Sequence, residues 1–252
     1  MTPPPGADRL DRVLVDRGLA PSRERAQALI AAGMVRVGEE RARSAAQRVG
    51  GSAAVTITGR DHPWAGRGGL KLVAALDAFE VAVEDRICLD AGASTGGFTD
   101  VLLSRGARLV YAVDVGHGQL DPRLAGDARV VVLDRTNLRT LPVLPGEPPS
   151  LATLDLSFIS LRLVLPAVLR LAPGAEVVAL VKPQFELGRE AVPRGGVVRD
   201  RAAGEAAARE LMVWARTELG AIGTGPLPAP VTGAKGNQEW LVRLRLPAGG
   251  RP

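Results

Sequence analysis

The chain has 252 residues, 46% of them hydrophobic and 23% charged, with a formal net charge of +5. That balance suits one large domain, or a domain with an appendage, and excludes wholesale disorder, collagen and coiled coil. One cysteine and two histidines exclude a disulfide scaffold and leave no protein-built metal site to expect.

The first elements expected are two short helices, Leu10 to Arg17 closing on Gly18 and a second capped by Ser22 that stops at Gly33. A strand, Met34 to Val37, a turn at Gly38-Glu39-Glu40 and a strand from Ala54 to Thr58 complete a small module over residues 1–60. Ten arginines against six carboxylates place most of the net charge in this first quarter, which favours an anionic partner such as nucleic acid. The order Gly18-Leu19-Ala20-Pro21-Ser22-Arg23-Glu24-Arg25-Ala26, followed by Gly33-Met34-Val35-Arg36-Val37, resembles the S4 RNA-binding domain. On that resemblance Arg23, Arg25 and Arg36 are expected against phosphates, contacts that set affinity and docking rather than sequence choice.

A linker over residues 61–66 contains Trp64, and beyond it strands and helices alternate. The expected order is helix Leu70 to Phe79, strand Arg86 to Asp90, helix Phe98 to Ser104, and strands Leu109 to Asp114, Val130 to Leu133 and Leu151 to Leu156. Helix Leu161 to Leu171, strand Glu176 to Val181, helix Arg201 to Leu219 and strand Trp240 to Leu246 follow, with a tail over residues 247–252. This is the rhythm of an α/β doubly wound, mostly parallel sheet over residues 67–246, preceded by the small α+β module.

The first strand of that sheet runs into Ala91-Gly92-Ala93-Ser94-Thr95-Gly96-Gly97, a glycine loop at the edge where open α/β sheets bind ligands. The glycine order is not the dinucleotide fingerprint. Asp114, 22 residues beyond Gly92, ends the next strand, where a carboxylate can accept both hydroxyls of a ribose. Loop and carboxylate together suit an adenosyl group held without a pyrophosphate.

Of 32 basic residues only Lys71, Lys182 and Lys235 are lysines. A position that keeps lysine in such a background is a candidate for a proton that must leave near neutral pH, which guanidinium cannot supply. Lys182 ends the fourth strand after the glycine loop and Asp155 ends the neighbouring one, so both are expected at the ligand-binding edge.

The motifs RGGLK, DAGASTGGFTD, VDVGHGQL, LDLSFISL, VKPQFE and GNQEWL make nearly the whole chain resemble the TlyA family, bacterial ribosomal RNA 2′-O-methyltransferases also known as haemolysins. Its catalytic domain is FtsJ-like, a class I Rossmann-like methyltransferase. The resemblance implies a Lys71, Asp155, Lys182 and Glu239 tetrad. Lys182 is expected as general base, with Lys71 a like charge lowering its pKa and the two carboxylates orienting the amines and raising it. It further implies an S-adenosyl-L-methionine pocket at Asp90, Gly92, Ser94, Thr95, Gly96, Phe98, Asp114 and Val115, with Asp134 at the adenine edge. Arg67 and Lys235 are expected toward RNA, and the loop from Gly188 to Asp200 is expected to close over it.

The implied reaction is methyl transfer to a cytidine 2′-hydroxyl in ribosomal RNA of the ribosomal subunits, 23S first and 16S second. Six residues follow Leu246, where some family members carry a helical extension, and Gly66 stands where relatives often have Ser. A rival reading is a catalytically silent S4-type ribosome-assembly factor. A second, membrane lysis, finds no stretch reaching the roughly 20 apolar residues of a membrane span. The proline-rich start lacks a basic region followed by an apolar run, so a cytoplasmic protein with no membrane partner is expected.

Overall fold

The computed structural model of the chain describes residues 7–58 and 62–249, apart from residues 21, 32, 189, 191, 194 and 234 and the side chains of residues 25 and 28. The chain divides into two compact units, Met1–Pro63 and Trp64–Pro252.

In the first unit, helices α1 (Leu10–Asp16) and α2 (Arg23–Ala31) pack Leu10, Val13 and Leu14 against Ala26, Leu29 and Ile30. A three-stranded antiparallel sheet is formed by β2 (Val35–Val37), β3 (Glu40–Arg41) and β5 (Val55–Ile57), with β2 central. A separate ladder joins β1 (Asp8–Arg9) to β4 (Arg48–Val49). Strands β1, β3 and β4 have two residues each, too short for an alternation to show in sequence.

One polar residue is central to this unit. Asp11, fully buried, accepts hydrogen bonds from Arg9 Nε, Arg9 Nη2, Arg23 Nη2 and Gln27 Nε2, each at 3.0 Å. The Arg9 guanidinium, ahead of the opposing effect of burial, holds its carboxyl well below the usual carboxylate range.

The second unit is built on α3 (Gly68–Ala78), β6 (Ile87–Ala91), α4 (Gly97–Ser104), β7 (Leu109–Val113), α5 (Pro122–Ala125) and β8 (Val130–Leu133). It continues through β9 (Leu151–Leu154), α6 (Leu165–Leu171), β10 (Glu176–Val181), α7 (Pro183–Glu186), α8 (Arg201–Leu219), β11 (Ile222–Pro228) and β12 (Trp240–Arg245). The seven strands are ordered β11-β12-β10-β9-β6-β7-β8. The run from β10 to β8 is parallel, and β12 and β11 are antiparallel. Apolar clusters cover both sheet faces, one around Leu89, Leu154, Val181 and Leu211 and the other around Leu72, Leu76, Val101 and Leu180. This is the doubly wound, mostly parallel architecture expected.

Three local expectations change. The helix expected from Leu161 to Leu171 is a 3-10 turn over Leu161–Leu163 followed by α6. Pro166 has no N–H and its ring would meet the carbonyl one turn back, so a helix can begin there but not run through. Strand β11 went unread because Ile222–Pro228 holds two glycines and two prolines; it sits at the sheet edge, where proline is tolerated, and shifts register between Thr224 and Leu227. The strand expected to run to Leu156 ends at Leu154, after which the Asp155 N–H still donates to the Ala91 carbonyl at 3.1 Å before the chain leaves the sheet.

At the margin where the parallel strands begin, Glu176 pairs with Arg86 at 2.8 Å and with Arg243. The same guanidiniums donate to the carbonyls of Ala82, Ser150 and Phe79. Burial raises the Glu176 pKa, but the two arginines outweigh it and hold the group below the ordinary glutamate value.

Candidate active site

At the opposite margin, where the parallel strands end, the antiparallel ladder pairs Val181 with Trp240. The residues one step further, Lys182 and Glu239, therefore stand beside each other at the edge. Lys182 turns to the other side: its Nζ lies 2.7 Å from Asp155 Oδ1, at the end of β9, and donates to Ser157 Oγ at 3.0 Å. Glu239 turns to α3, where Lys71 Nζ lies 2.5 Å from its Oε2. The Asp155 carboxylate rests against the first turn of α3, with Oδ2 3.4 Å from where a Cβ on Gly68 would lie, one turn before Lys71. Lys71, Lys182 and Glu239 are buried, Asp155 partly so. Four residues distant in sequence thus stand at one sheet edge as two cation–carboxylate pairs.

Beside them is a cavity of about 470 Å³, within the usual range of small-molecule sites, lined among others by Gly92, Ser94, Asp114, Val115, Asn137 and Ser157. Gly92 has φ of 85°, and a Cβ there would lie 2.7 Å from the Asp155 carbonyl oxygen, so only glycine brings the loop this close to β9. Asp114 accepts from the Ser94 N–H at 2.8 Å and the Gly116 N–H at 2.7 Å, which ties the loop after β6 to the loop after β7. A carboxylate offers about four lone-pair sites, so capacity remains for a ligand.

The other expected pocket residues sit differently. Thr95 and Phe98 line a smaller adjoining recess, which Arg67, Gly68 and Asp155 also border. Gly96 lines neither; a Cβ on it would overlap the side chains of Leu120 and Leu124. Asp90 is fully buried beneath the loop, bonded by Thr99 Oγ1 at 2.6 Å and Thr153 Oγ1 at 3.3 Å, and burial pushes its carboxyl up to about 7. Asp134 accepts from the Gly118 N–H at 2.7 Å and contacts His117 Nδ1 at 3.0 Å. Residues Thr136, Asn137 and Leu138, a few positions on, line the cavity instead.

The sequence reading also missed Gln119, Ser157 and Phe158. Phe158 has φ of 64°, is 88% exposed, and its ring lies 5.4 Å from that of Phe185. The motif LDLSFISL held the signal for the last two, but only its aspartate stands out as a charged strand end.

Of the residues expected toward RNA, Arg23 is exposed and pairs with the buried Asp11. Arg36 donates to the Glu39 carbonyl at the surface, Lys235 is exposed, and the side chain of Arg25 lies outside the described residues. The loop from Gly188 to Asp200 is anchored by the buried Asn237, whose Oδ1 accepts from the Val198 N–H and whose Nδ2 donates to the Gly196 carbonyl, both at 2.8 Å. Trp64 packs on α3 at Gly69. Cys88 is buried, with its thiol pushed up to about 12 by burial. Among the described residues no helix is long and apolar enough to cross a membrane.

Comparison with known proteins gives the same two-part division. The family model of FtsJ-like methyltransferases matches residues 64–246, and that of the S4 domain matches residues 8–55. The chain is 50% identical over 242 residues to the 16S/23S rRNA (cytidine-2′-O)-methyltransferase TlyA of Mycobacterium tuberculosis, covering 94% of this chain and 89% of that protein. It is 37% identical over 239 residues to Hemolysin A of Brachyspira hyodysenteriae, covering 94% and 99%. A solved structure from Streptococcus thermophilus, described as a candidate hemolysin, shares 39% identity with a TM-score of 0.72, covering 97% of this chain and 90% of that one.

Proposed function

Since this chain belongs to the TlyA family of FtsJ-like methyltransferases and matches the S4 domain ahead of its methyltransferase part, we propose that it methylates a cytidine ribose 2′-hydroxyl in ribosomal RNA. The observation that carries this reading is the double pairing of Lys182 with Asp155 and Lys71 with Glu239 beside the glycine-loop cavity.

The methyl donor is S-adenosyl-L-methionine, and the residues present fit it. Gly92 leaves a cradle that a Cβ would fill, and Asp114 presents a carboxylate at the end of the neighbouring strand. Gly92, Ser94, Asp114 and Asn137 would hold it, and when bound it supplies an electrophilic methyl on a sulfonium.

The chain's own task is then small and exacting. A ribose hydroxyl is a very weak acid, so its oxygen must be oriented in line and its proton removed as the carbon–oxygen bond forms. Lys182 accepts that proton at Nζ, with Asp155 stabilising the ammonium produced. Lys71, held by Glu239, keeps a positive charge beside the oxygen as negative charge develops on it. The S4 unit supplies RNA affinity through its exposed arginines.

The test is transfer of labelled methyl groups to 50S and 30S subunits and to naked RNA, followed by mapping of ribose methylation. Wild-type protein is expected to modify a cytidine of 23S rRNA, with 16S as the second target. Lys182→Ala is expected to lower turnover about 10³-fold or more, with donor affinity by calorimetry within about threefold. Ribosome binding with no methyl incorporation and no donor binding would overturn the proposal in favour of a silent RNA-binding factor.

A further inference from the structure

We propose that Ser157 is a positioning residue that aims the Lys182 amine at the hydroxyl to be deprotonated. The inference rests on the reading of Lys182 as general base and adds a residue to it.

The two contacts of Lys182 Nζ differ in kind. Asp155 Oδ1 is close, at 2.7 Å, but lies outside hydrogen-bond geometry and acts as a charge contact. Ser157 Oγ, at 3.0 Å, is a directional hydrogen-bond acceptor. Coulomb attraction orients the amine only weakly about the Cε–Nζ bond, whereas a hydrogen bond fixes one N–H direction.

Rotation matters because of what a base must present. A neutral amine has two N–H bonds and one lone pair in a tetrahedral array. With one N–H held on Ser157 the three orientations reduce to two, and the Asp155 charge favours the one that turns the second N–H toward it and the lone pair toward the remaining direction. Without Ser157 the three orientations interchange, and the lone pair faces the substrate only part of the time. Proton transfer needs that alignment as well as proximity.

The loop that carries Ser157 is built to hold it still. Glu186, in the short helix directly after Lys182, accepts from Ser160 Oγ and from the Leu161 N–H, both at 2.7 Å. Ser160 in turn caps the 3-10 turn by accepting from the Arg162 N–H at 3.2 Å. The segment following Asp155 is thereby stitched to the segment following Lys182. Ser157 itself is exposed and lines the cavity, so its hydroxyl is not needed for the core.

Among the described residues the charged group contacting Lys182 Nζ is Asp155. Of the groups contacting Nζ, Ser157 is the neutral one.

The experiment measures kcat and KM for donor and RNA across pH in wild type, Ser157→Ala, Ser157→Thr and Lys182→Ala, with circular dichroism as a check on folding. Ser157→Ala is expected to lower kcat about 10- to 100-fold and to leave both KM values within about threefold. Ser157→Thr, which keeps the hydroxyl, is expected to restore the rate. A Ser157→Ala enzyme with wild-type kcat overturns the proposal, as does equal loss in the Ala and Thr variants. An active Lys182→Ala enzyme instead overturns the base assignment beneath it.

Discussion

The two margins of the central sheet solve the same electrostatic problem with different cations. Where the parallel strands begin, Glu176 lies between Arg86 and Arg243, and the guanidiniums also reach three backbone carbonyls. Where the strands end, Asp155 and Glu239 each face a lysine. Guanidinium offers five donors in a fixed plane and never gives up its proton, which suits a clamp; an ammonium is compact and can lose one. A chain with three lysines in all puts two of them at the margin that holds the cavity. On the proposed reading, position in the sheet rather than charge alone separates a structural ion pair from a reactive one.

That contrast can be broken most directly by exchanging one cation for the other. Lys182→Arg preserves the charge beside Asp155 and removes the dissociable proton; kcat is expected to fall about 10³-fold or more with the melting temperature nearly unchanged. Substantial activity in a methyl-transfer assay would show that charge suffices. At the other margin Glu176→Ala is expected to cost about 2–3 kcal/mol in urea unfolding, because two guanidiniums lose their shared partner, while kcat of the folded protein stays within about twofold.

Titration sharpens the same comparison. The Glu176 carboxyl is held below its ordinary value, so its contribution is present above about pH 4 and is lost as pH falls through the depressed folded value. The stability gap between wild type and Glu176→Ala is therefore expected to narrow in melts below pH 4. Asp90, which pairs with no cation among the described residues and is pushed up to about 7 by burial, behaves oppositely. The folded state holds its proton where the unfolded state has lost it, so stability drains away as pH rises from about 4 to 7. Asp90→Asn is expected to flatten that slope, the smallest of these effects.

Much of the architecture was legible because each parallel strand is a short apolar run ending in Gly, Asp or Lys, and helices fall between such runs. The glycine loop and Asp114 were readable for the same reason: a strand end names the sheet edge. What escaped was non-local. Lys71 and Glu239 are 168 residues apart, and no local pattern says which lysine takes which carboxylate. Arg23 has the sequence features of a surface arginine and is one, but no local pattern says that it also pairs with the buried Asp11. Asp134 looks like Asp114 in sequence, yet the Gly118 N–H and His117 claim its oxygen.

Strand β11 carries Pro226 and Pro228 on the outer rim of the sheet, together with its register shift. Neither proline has an N–H to offer an incoming strand, and the kink throws the remaining groups out of step. A second molecule seeking to prolong the ladder there would meet gaps where it needs donors, so this border resists the strand-by-strand stacking that seeds fibrils and swapped assemblies.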